Sequence, residues 1–389
     1  METKNAIYLD HAATTPVDAR VLAAMQPYFD IEFGNPSSIH RWGQQAERAV
    51  ERSRRIIAEA LNCQPEEIVF TGCGSEADNL AIRGAALAER AARGAKHLIT
   101  TPIEHAAVLA TMRQLRDHFG FDLTVLPVDE VGRVSPESVE AALRPDTALV
   151  SVMYASNEIG TIQPVGEIAR VCRARGVRLH TDAVQAGSQL DLDVQRLGVD
   201  YMALGAHKFY GPKGVGALFM RAGSPLLPTQ TGGSHEHGLR AGTQNVPYIV
   251  GMAEALRLTV IERERHNAHF RALRAQAMAG VLRAIPESMV TGHAQERLPN
   301  HASFAFRRVD GNELLMHLDL AGIAASSGSA CKTGDPEPSE VLVALGLARE
   351  WALGSLRITV GRATTAGEID RLVAVLPALV EKMRALAPA

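Results

Sequence analysis

The chain has 389 residues, 46% of them hydrophobic and 21% charged. Those proportions are ordinary for globular proteins and exclude disorder, collagen-like repeats and coiled coil, and the length predicts two or three domains at roughly 100–200 residues each. Lys+Arg 40 against Asp+Glu 43 leaves a net charge of −3, too near balance for a broad nucleic-acid or anionic-membrane footprint.

The four cysteines, Cys63, Cys73, Cys172 and Cys331, form no CxxC pair, which argues against a zinc ribbon, a thioredoxin-like couple and a disulfide scaffold. The first residues carry no apolar signal-peptide core, and no apolar run reaches the length of about 18 needed to span a bilayer. The expected compartment is the cytoplasm.

Helical spacing of Arg, Glu and Ala predicts a helix over 44–60. A strand follows at 67–71, a helix at 76–93 and a strand at 97–101. Further strands are expected at 123–128, 148–154, 178–181, 201–205 and 216–220, with helices at 135–143 and 165–175 between them. Strand–helix alternation on this scale predicts a largely parallel sheet covered by helices on both faces, with ligands at the strands' carboxyl ends. Residues 223–247 are Gly-, Ser- and His-rich and read as loop. A long helix is expected over 247–284, then a strand at 301–306, a helix at 312–321, a strand at 354–361 and an amphipathic helix at 365–386. This predicts an α/β chain with a large domain over 15–260. A smaller α+β domain is built from 1–14 and 261–389 and carries a loop at about 324–340.

Four motifs could carry chemistry. Phe70-Thr-Gly72-Cys-Gly74-Ser75-Glu76-Ala77 leaves a strand and opens a helix, where free N–H groups favour an anion. Its alternatives are a plain turn with Ser75 in the helix cap, or a dinucleotide fingerprint with Glu104 as the ribose-binding acid. No Gly-Lys dipeptide occurs, so a Walker A loop is excluded. Asp182, in His180-Thr-Asp182-Ala-Val-Gln185, ends a strand and is either a ligand-facing acid or a turn cap. Lys208, in Gly205-Ala-His207-Lys208-Phe-Tyr-Gly211, also follows a strand. It is one of only six lysines and sits among His and aromatic neighbours suited to a desolvated amine nucleophile. Cys331 lies in a Ser-, Gly- and Pro-rich loop expected to be exposed and mobile, with Lys332 beside it to favour the thiolate. Cys63, Cys73 and Cys172 read as inert. His235-Glu-His237 is a weak metal pair, and the non-metal reading is favoured. A phosphate turn, an acid for a pyridine nitrogen and an amine for an imine together suit pyridoxal phosphate.

The chain resembles the cysteine desulfurases of the NifS/IscS-like group, within the class-V aminotransferase family of fold-type I pyridoxal-phosphate enzymes. The resemblance runs through Tyr8-Leu-Asp-His-Ala-Ala-Thr-Thr-Pro16, Gly34-Asn-Pro-Ser-Ser38, Glu76-Ala-Asp-Asn79, Glu104-His105 and Asn157-Glu-Ile-Gly160. It continues through Asp182-Ala-Val-Gln185, His207-Lys208, Arg240-Ala-Gly-Thr243, Ser326-Ser-Gly-Ser-Ala-Cys331 and Leu356-Arg357.

The resemblance implies that Lys208 carries pyridoxal 5'-phosphate as an imine, with His105 stacked on the ring and able to shuttle protons. Asp182 would face the ring nitrogen, Gln185 the phenolate oxygen, and Asn157 both ring and substrate. Gly74, Ser75, His207 and the Gly205 position would surround the phosphate, joined by Thr243 from a second subunit of a homodimer. Arg357 would clamp the carboxylate of L-cysteine, with Asn35 assisting. Cys331 would take the sulfur as a persulfide, release alanine, and serve an acceptor such as an iron–sulfur scaffold or a thiolation protein. No resident metal is implied; Cys331 is at most a transient iron–sulfur ligand. No nucleic acid or membrane partner is expected. Gly205 stands where Ser is common, His237 where Arg is common and His11 where Asn or Tyr is usual. The competing readings are an aminotransferase or selenocysteine lyase of the same fold, a non-catalytic scaffold, and a nicotinamide dehydrogenase.

Overall fold

Side-chain alternation along short apolar strands builds the central sheet. The computed structural model describes residues 6–328 and 337–386. It begins with β1 (Ile7–Tyr8), followed by β2 (Ile68–Thr71), β3 (His97–Thr100), β4 (Asp122–Val125), β5 (Thr147–Ser151), β6 (Arg178–Asp182), β7 (Tyr201–Gly205) and β8 (Gly216–Met220). Strands β2 to β8 form one seven-stranded sheet in the order β2-β8-β7-β6-β5-β3-β4.

Successive residues point to opposite faces. Ile68, Phe70, Met202 and Leu204 therefore enter one core with the helices Arg41–Leu61 and Val165–Ala174. Val69, Tyr201 and Ala203 enter the other with the helices Gly74–Arg93 and Ala106–Phe119. Burial on both faces explains why these strands read as continuous apolar runs.

The sheet is parallel except at β8, which runs antiparallel to β2 and β7. The reversal has a local cause. A parallel crossover needs a dozen or more residues, usually with a helix, and the β7–β8 connection spans only 206–215. That short loop carries Lys208.

A third core forms around β9 (Ser288–Val290), β10 (His301–Phe306) and β12 (Ser355–Thr359), an antiparallel sheet in the order β12-β10-β9. The helices Gly311–Leu320 and Ala366–Leu386 cover it, and β11 (Ile323–Ala324) pairs in parallel with β1.

The helix Val246–Ala284 is 39 residues long, about 58 Å at 1.5 Å per residue. Ile249, Met252 and Leu256 of its first half lie in the first core. Phe270, Leu273 and Val281 of its second half lie in the third, around β10 and β12. This rod fixes β12 against the carboxyl edge of the large sheet. Among the described residues no helix is long and apolar enough to cross a membrane.

Candidate active site

Strands β2, β3, β5, β6 and β7 all point their carboxyl ends at one cavity of about 310 Å³. The turn after β2 contributes Cys73, Gly74 and Ser75, that after β3 His105, and that after β5 Met153 and Asn157. Beyond β6 come Asp182, Val184 and Gln185, and beyond β7 His207 and Lys208. Arg357 arrives from β12, and Ala12 and Ala13 close one side.

Lys208 Nζ donates to the carbonyls of Ala12 at 2.5 Å and Ala13 at 2.8 Å. Burial, reinforced by the positive charge of Arg357, lowers this amine to about 8; Asp182 and Asp10 act the other way. Asp182 Oδ1 accepts the Val184 N–H at 2.9 Å. Gln185 Nε2 donates to the Ala12 carbonyl at 2.9 Å. His105 Nδ1 accepts the Ala107 N–H at 3.1 Å and so caps the helix Ala106–Phe119. With Nδ1 an acceptor, the neutral ring carries its proton on Nε2. Burial, then Lys208 and Lys213, lowers His207 to about 4.

Arg357 is 7% exposed. Its guanidinium donates to Asp10 Oδ1 at 2.8 Å and to the Asn157 carbonyl at 2.9 Å, while Nε has no partner among the described residues. The fork is thus anchored from behind with donor capacity left for a carboxylate.

The helix Gly74–Arg93 begins at Gly74, and no side chain caps it. Ser75 is therefore inside the first turn, not the cap, and its exposed hydroxyl and the N-terminal N–H groups are free for an anion. A Cβ on Gly74 would stand 2.7 Å from Val184 Cγ2, so only glycine lets this turn meet the wall.

The dinucleotide alternative fails. The Gly72 N–H is held by Glu76 Oε2 at 2.8 Å. Glu104 is buried, its Oε1 taking the Thr101 hydroxyl at 2.8 Å and the Met153 N–H at 2.9 Å. Among the described residues His235 and His237 join no group of three or more metal-ligating side chains, and Glu236 between them is buried against Arg54, at 2.8 Å, and the Phe70 N–H, at 2.8 Å.

The aminotransferase class-V family profile matches residues 7–372. The chain belongs to the class-V aminotransferase family. It is 43% identical over 385 residues to a cysteine desulfurase IscS of Dictyoglomus turgidum, covering 99% of this chain and 97% of that one. It is 44% identical over 389 residues to the cysteine desulfurase IscS of Methanosarcina thermophila, covering 100% and 95%. A solved NifS-like protein has a TM-score of 0.87 at 36% identity, covering 98% of this chain and 99% of its own. Within its family the chain belongs with the cysteine desulfurases, and its fold is that of the NifS-like proteins.

For a class-V family member, the expected residues divide into those the cavity gathers and those it does not. Gly74, Ser75, His105, Asn157, Asp182, Gln185, His207, Lys208 and Arg357 all line it. Gly205 lies just outside; a Cβ there would stand 3.6 Å from the Gly74 nitrogen. Asn35 is exposed on a separate loop. Thr243 lines a different cavity with Gly72, Gly214 and Arg240. Cys331 lies outside the described residues. Six residues absent from the expected set also line the cavity: Ala12, Ala13, Cys73, Asp78, Met153 and Val184. Cys73 is exposed, whereas burial pushes both Cys63 and Cys172 up to about 12. The inert reading therefore suits those two and not Cys73.

Proposed function

We propose that this chain is a pyridoxal-phosphate-dependent cysteine desulfurase that converts L-cysteine to L-alanine and stores the sulfur as a persulfide on Cys331. The observation that carries the reading is Lys208. It is a desolvated amine opening on the same cavity as a buried carboxylate (Asp182), a free helix N-terminus (Gly74 and Ser75) and a carboxylate-binding guanidinium (Arg357).

The cavity suits the coenzyme on its own chemistry. A phosphate fits the uncapped N–H groups at Gly74 and Ser75 with His207 nearby. A pyridine nitrogen fits the acid Asp182, and an aldehyde fits Lys208. Asp78, which lines the cavity, has a buried carboxylate oxygen with no hydrogen-bond partner among the described residues. When bound, the coenzyme supplies an electron-accepting ring. The chain supplies the rest. Lys208 provides the amine and, once free, a base. His105 covers the ring and handles protons through Nε2. Gln185 and Asn157 fix orientation, and Arg357 fixes the substrate carboxylate. We assign Asn35 and Thr243 to the same site when it is completed by a second subunit.

Sulfur transfer balances without an added oxidant. The Cys331 thiolate attacks the substrate sulfur, forming the S–S bond and breaking the Cβ–S bond. The released electron pair and a proton end on Cβ. Cysteine plus thiol thus gives alanine plus persulfide. The acceptor is a thiophilic protein, such as an iron–sulfur scaffold or a thiolation protein, working with a homodimeric, cytoplasmic enzyme. We also propose the two-domain division at about residue 260. Incubating coenzyme-loaded protein with L-cysteine should yield alanine and enzyme-bound persulfide one for one. Amino transfer to pyruvate in place of alanine release would overturn the reading in favour of an aminotransferase.

Gly205 gives a separate prediction. Its φ of −131° suits any residue, and an added Cβ meets only ordinary contacts, with Val184 Cγ1 at 3.5 Å and Gly74 N at 3.6 Å. Gly205→Ser would place a hydroxyl beside the phosphate turn. A hydrogen bond to a charged group corresponds to about tenfold or more in affinity. The serine variant is expected to release the coenzyme about tenfold more slowly, measured by dilution into a scavenger; an unchanged rate would show that 205 does not reach the phosphate.

A further inference from the structure

Beneath the wall that carries Asp182, buried polar groups outnumber their partners. Asp78, 1% exposed, stands one turn into the helix Gly74–Arg93. Its Oδ1 is 3.4 Å from Nε2 of the fully buried His180, and neither atom makes a hydrogen bond among the described residues. His180 Nδ1 lies 2.8 Å from Ser151 Oγ. With the Ser151 hydroxyl donating to Nδ1, the imidazole proton sits on Nε2 and faces Asp78 Oδ1. Side-chain atoms of Asp78, Asp182 and His105 lie within 4.8 Å of one another, a gap that one bridging water spans. Glu104 brings a third buried carboxyl, whose Oε2 has no partner.

Three carboxyls cannot all stay charged in so dry a place. Burial pushes Asp78 well up, and the Asp182 carboxylate pushes it further. Burial pushes Glu104 up to about 8 and His180 down to about 3, so both stay neutral near pH 7. Asp182 is raised by burial too, but the Val184 N–H, His105 and Lys208 all favour its charged form. The cluster's one negative charge therefore belongs on Asp182.

We propose that Asp78 is a positioning residue for Asp182: backed by His180 and Ser151, it donates a hydrogen bond to Asp182, directly or through one water, and keeps that carboxylate charged and turned toward the coenzyme's ring nitrogen. The proposal rests on the pyridoxal-phosphate reading above. A neutral acid can be imitated by an amide, which also donates, but not by an apolar side chain.

The test compares wild type, Asp78→Asn and Asp78→Ala, each loaded with pyridoxal phosphate. It reads the rate of coenzyme release and the pH midpoint of the bound coenzyme's visible absorbance. The asparagine variant is expected to match wild type within about twofold, and the alanine variant to release coenzyme about tenfold faster with a displaced midpoint. If the alanine variant does not fold, Asp78→Leu carries the same expectation, since an apolar replacement of a buried acid tends to keep a fold. An alanine or leucine variant with wild-type release and midpoint would overturn the proposal, as would an asparagine variant as impaired as alanine. Failure of the wild type to develop visible absorbance with the coenzyme would instead overturn the reading on which the proposal rests.

Discussion

Lys208→Ala should remove the visible absorbance of the coenzyme-loaded protein and cut alanine formation from cysteine by about 10⁴-fold, the upper range for losing one positioned proton-transfer group. The loss should be specific, because Lys208 is not part of either core. Among the described residues its amine hydrogen-bonds to the backbone carbonyls of Ala12 and Ala13. The same residue fixes a pH dependence. Coenzyme capture needs the neutral amine, which is the deprotonated form and becomes more abundant as pH rises. With the folded amine at about 8, capture by coenzyme-free protein should rise about tenfold per pH unit below that value and level off above it. A lysine at its ordinary value would keep gaining past pH 9. Stopped-flow absorbance from pH 6.5 to 9.5 separates the two. A rate still climbing at the top of that range would mean that burial and Arg357 do not depress the amine, and unchanged absorbance in the alanine variant would remove Lys208 from the mechanism.

Much of this arrangement is legible in the sequence because it obeys the two-residue period of strands and the 3.6-residue period of helices. Strands β7, β8 and β10 coincide with their apolar runs, and a polar residue directly after such a run, like Asp182 or Lys208, falls at the sheet's carboxyl edge. Other parts depend on signals the chain does not display. The helix Ala106–Phe119 starts on a capping histidine, outside the usual Ser, Thr, Asp and Asn set. The carbonyls that hold Lys208 come from residues 12 and 13, whose small side chains carry no hint of it. Asp78 reads as one polar residue on a helix; only the crossing of that helix beneath β6 makes it a neighbour of Asp182. Asn35 and Thr243 match the family pattern, yet neither lines the cavity of one chain, and no local signal in the sequence foretells that.

The cavity holds a described thiol, Cys73, and the assigned nucleophile is a different one, so the sulfur assignment is open to a direct contest. Cys331→Ala should keep coenzyme capture and visible absorbance, since every contact described for Lys208, Asp182 and Gln185 is independent of it. It should lower persulfide and alanine formation by about 10³-fold or more, the scale of losing a nucleophile that acts as a unit with its partners. The stems on either side of Cys331 support this choice. Ser326 exchanges backbone hydrogen bonds with Arg357 at 2.7 and 3.2 Å, and the Gly328 N–H reaches Ser355 Oγ at 3.2 Å. Ser339 is tied at 2.5 Å to Glu158, next to Asn157. Both described stems are thus anchored beside cavity-lining residues. Cys73 sits at the N-terminus of the helix Gly74–Arg93, beside Gly74 and Ser75 in the turn proposed above to hold the coenzyme's phosphate. Cys73→Ser should therefore keep at least half of the persulfide yield measured by sulfur-labelled cysteine. Label retained by the Cys331 variant and lost by the Cys73 variant would move the nucleophile to the phosphate turn.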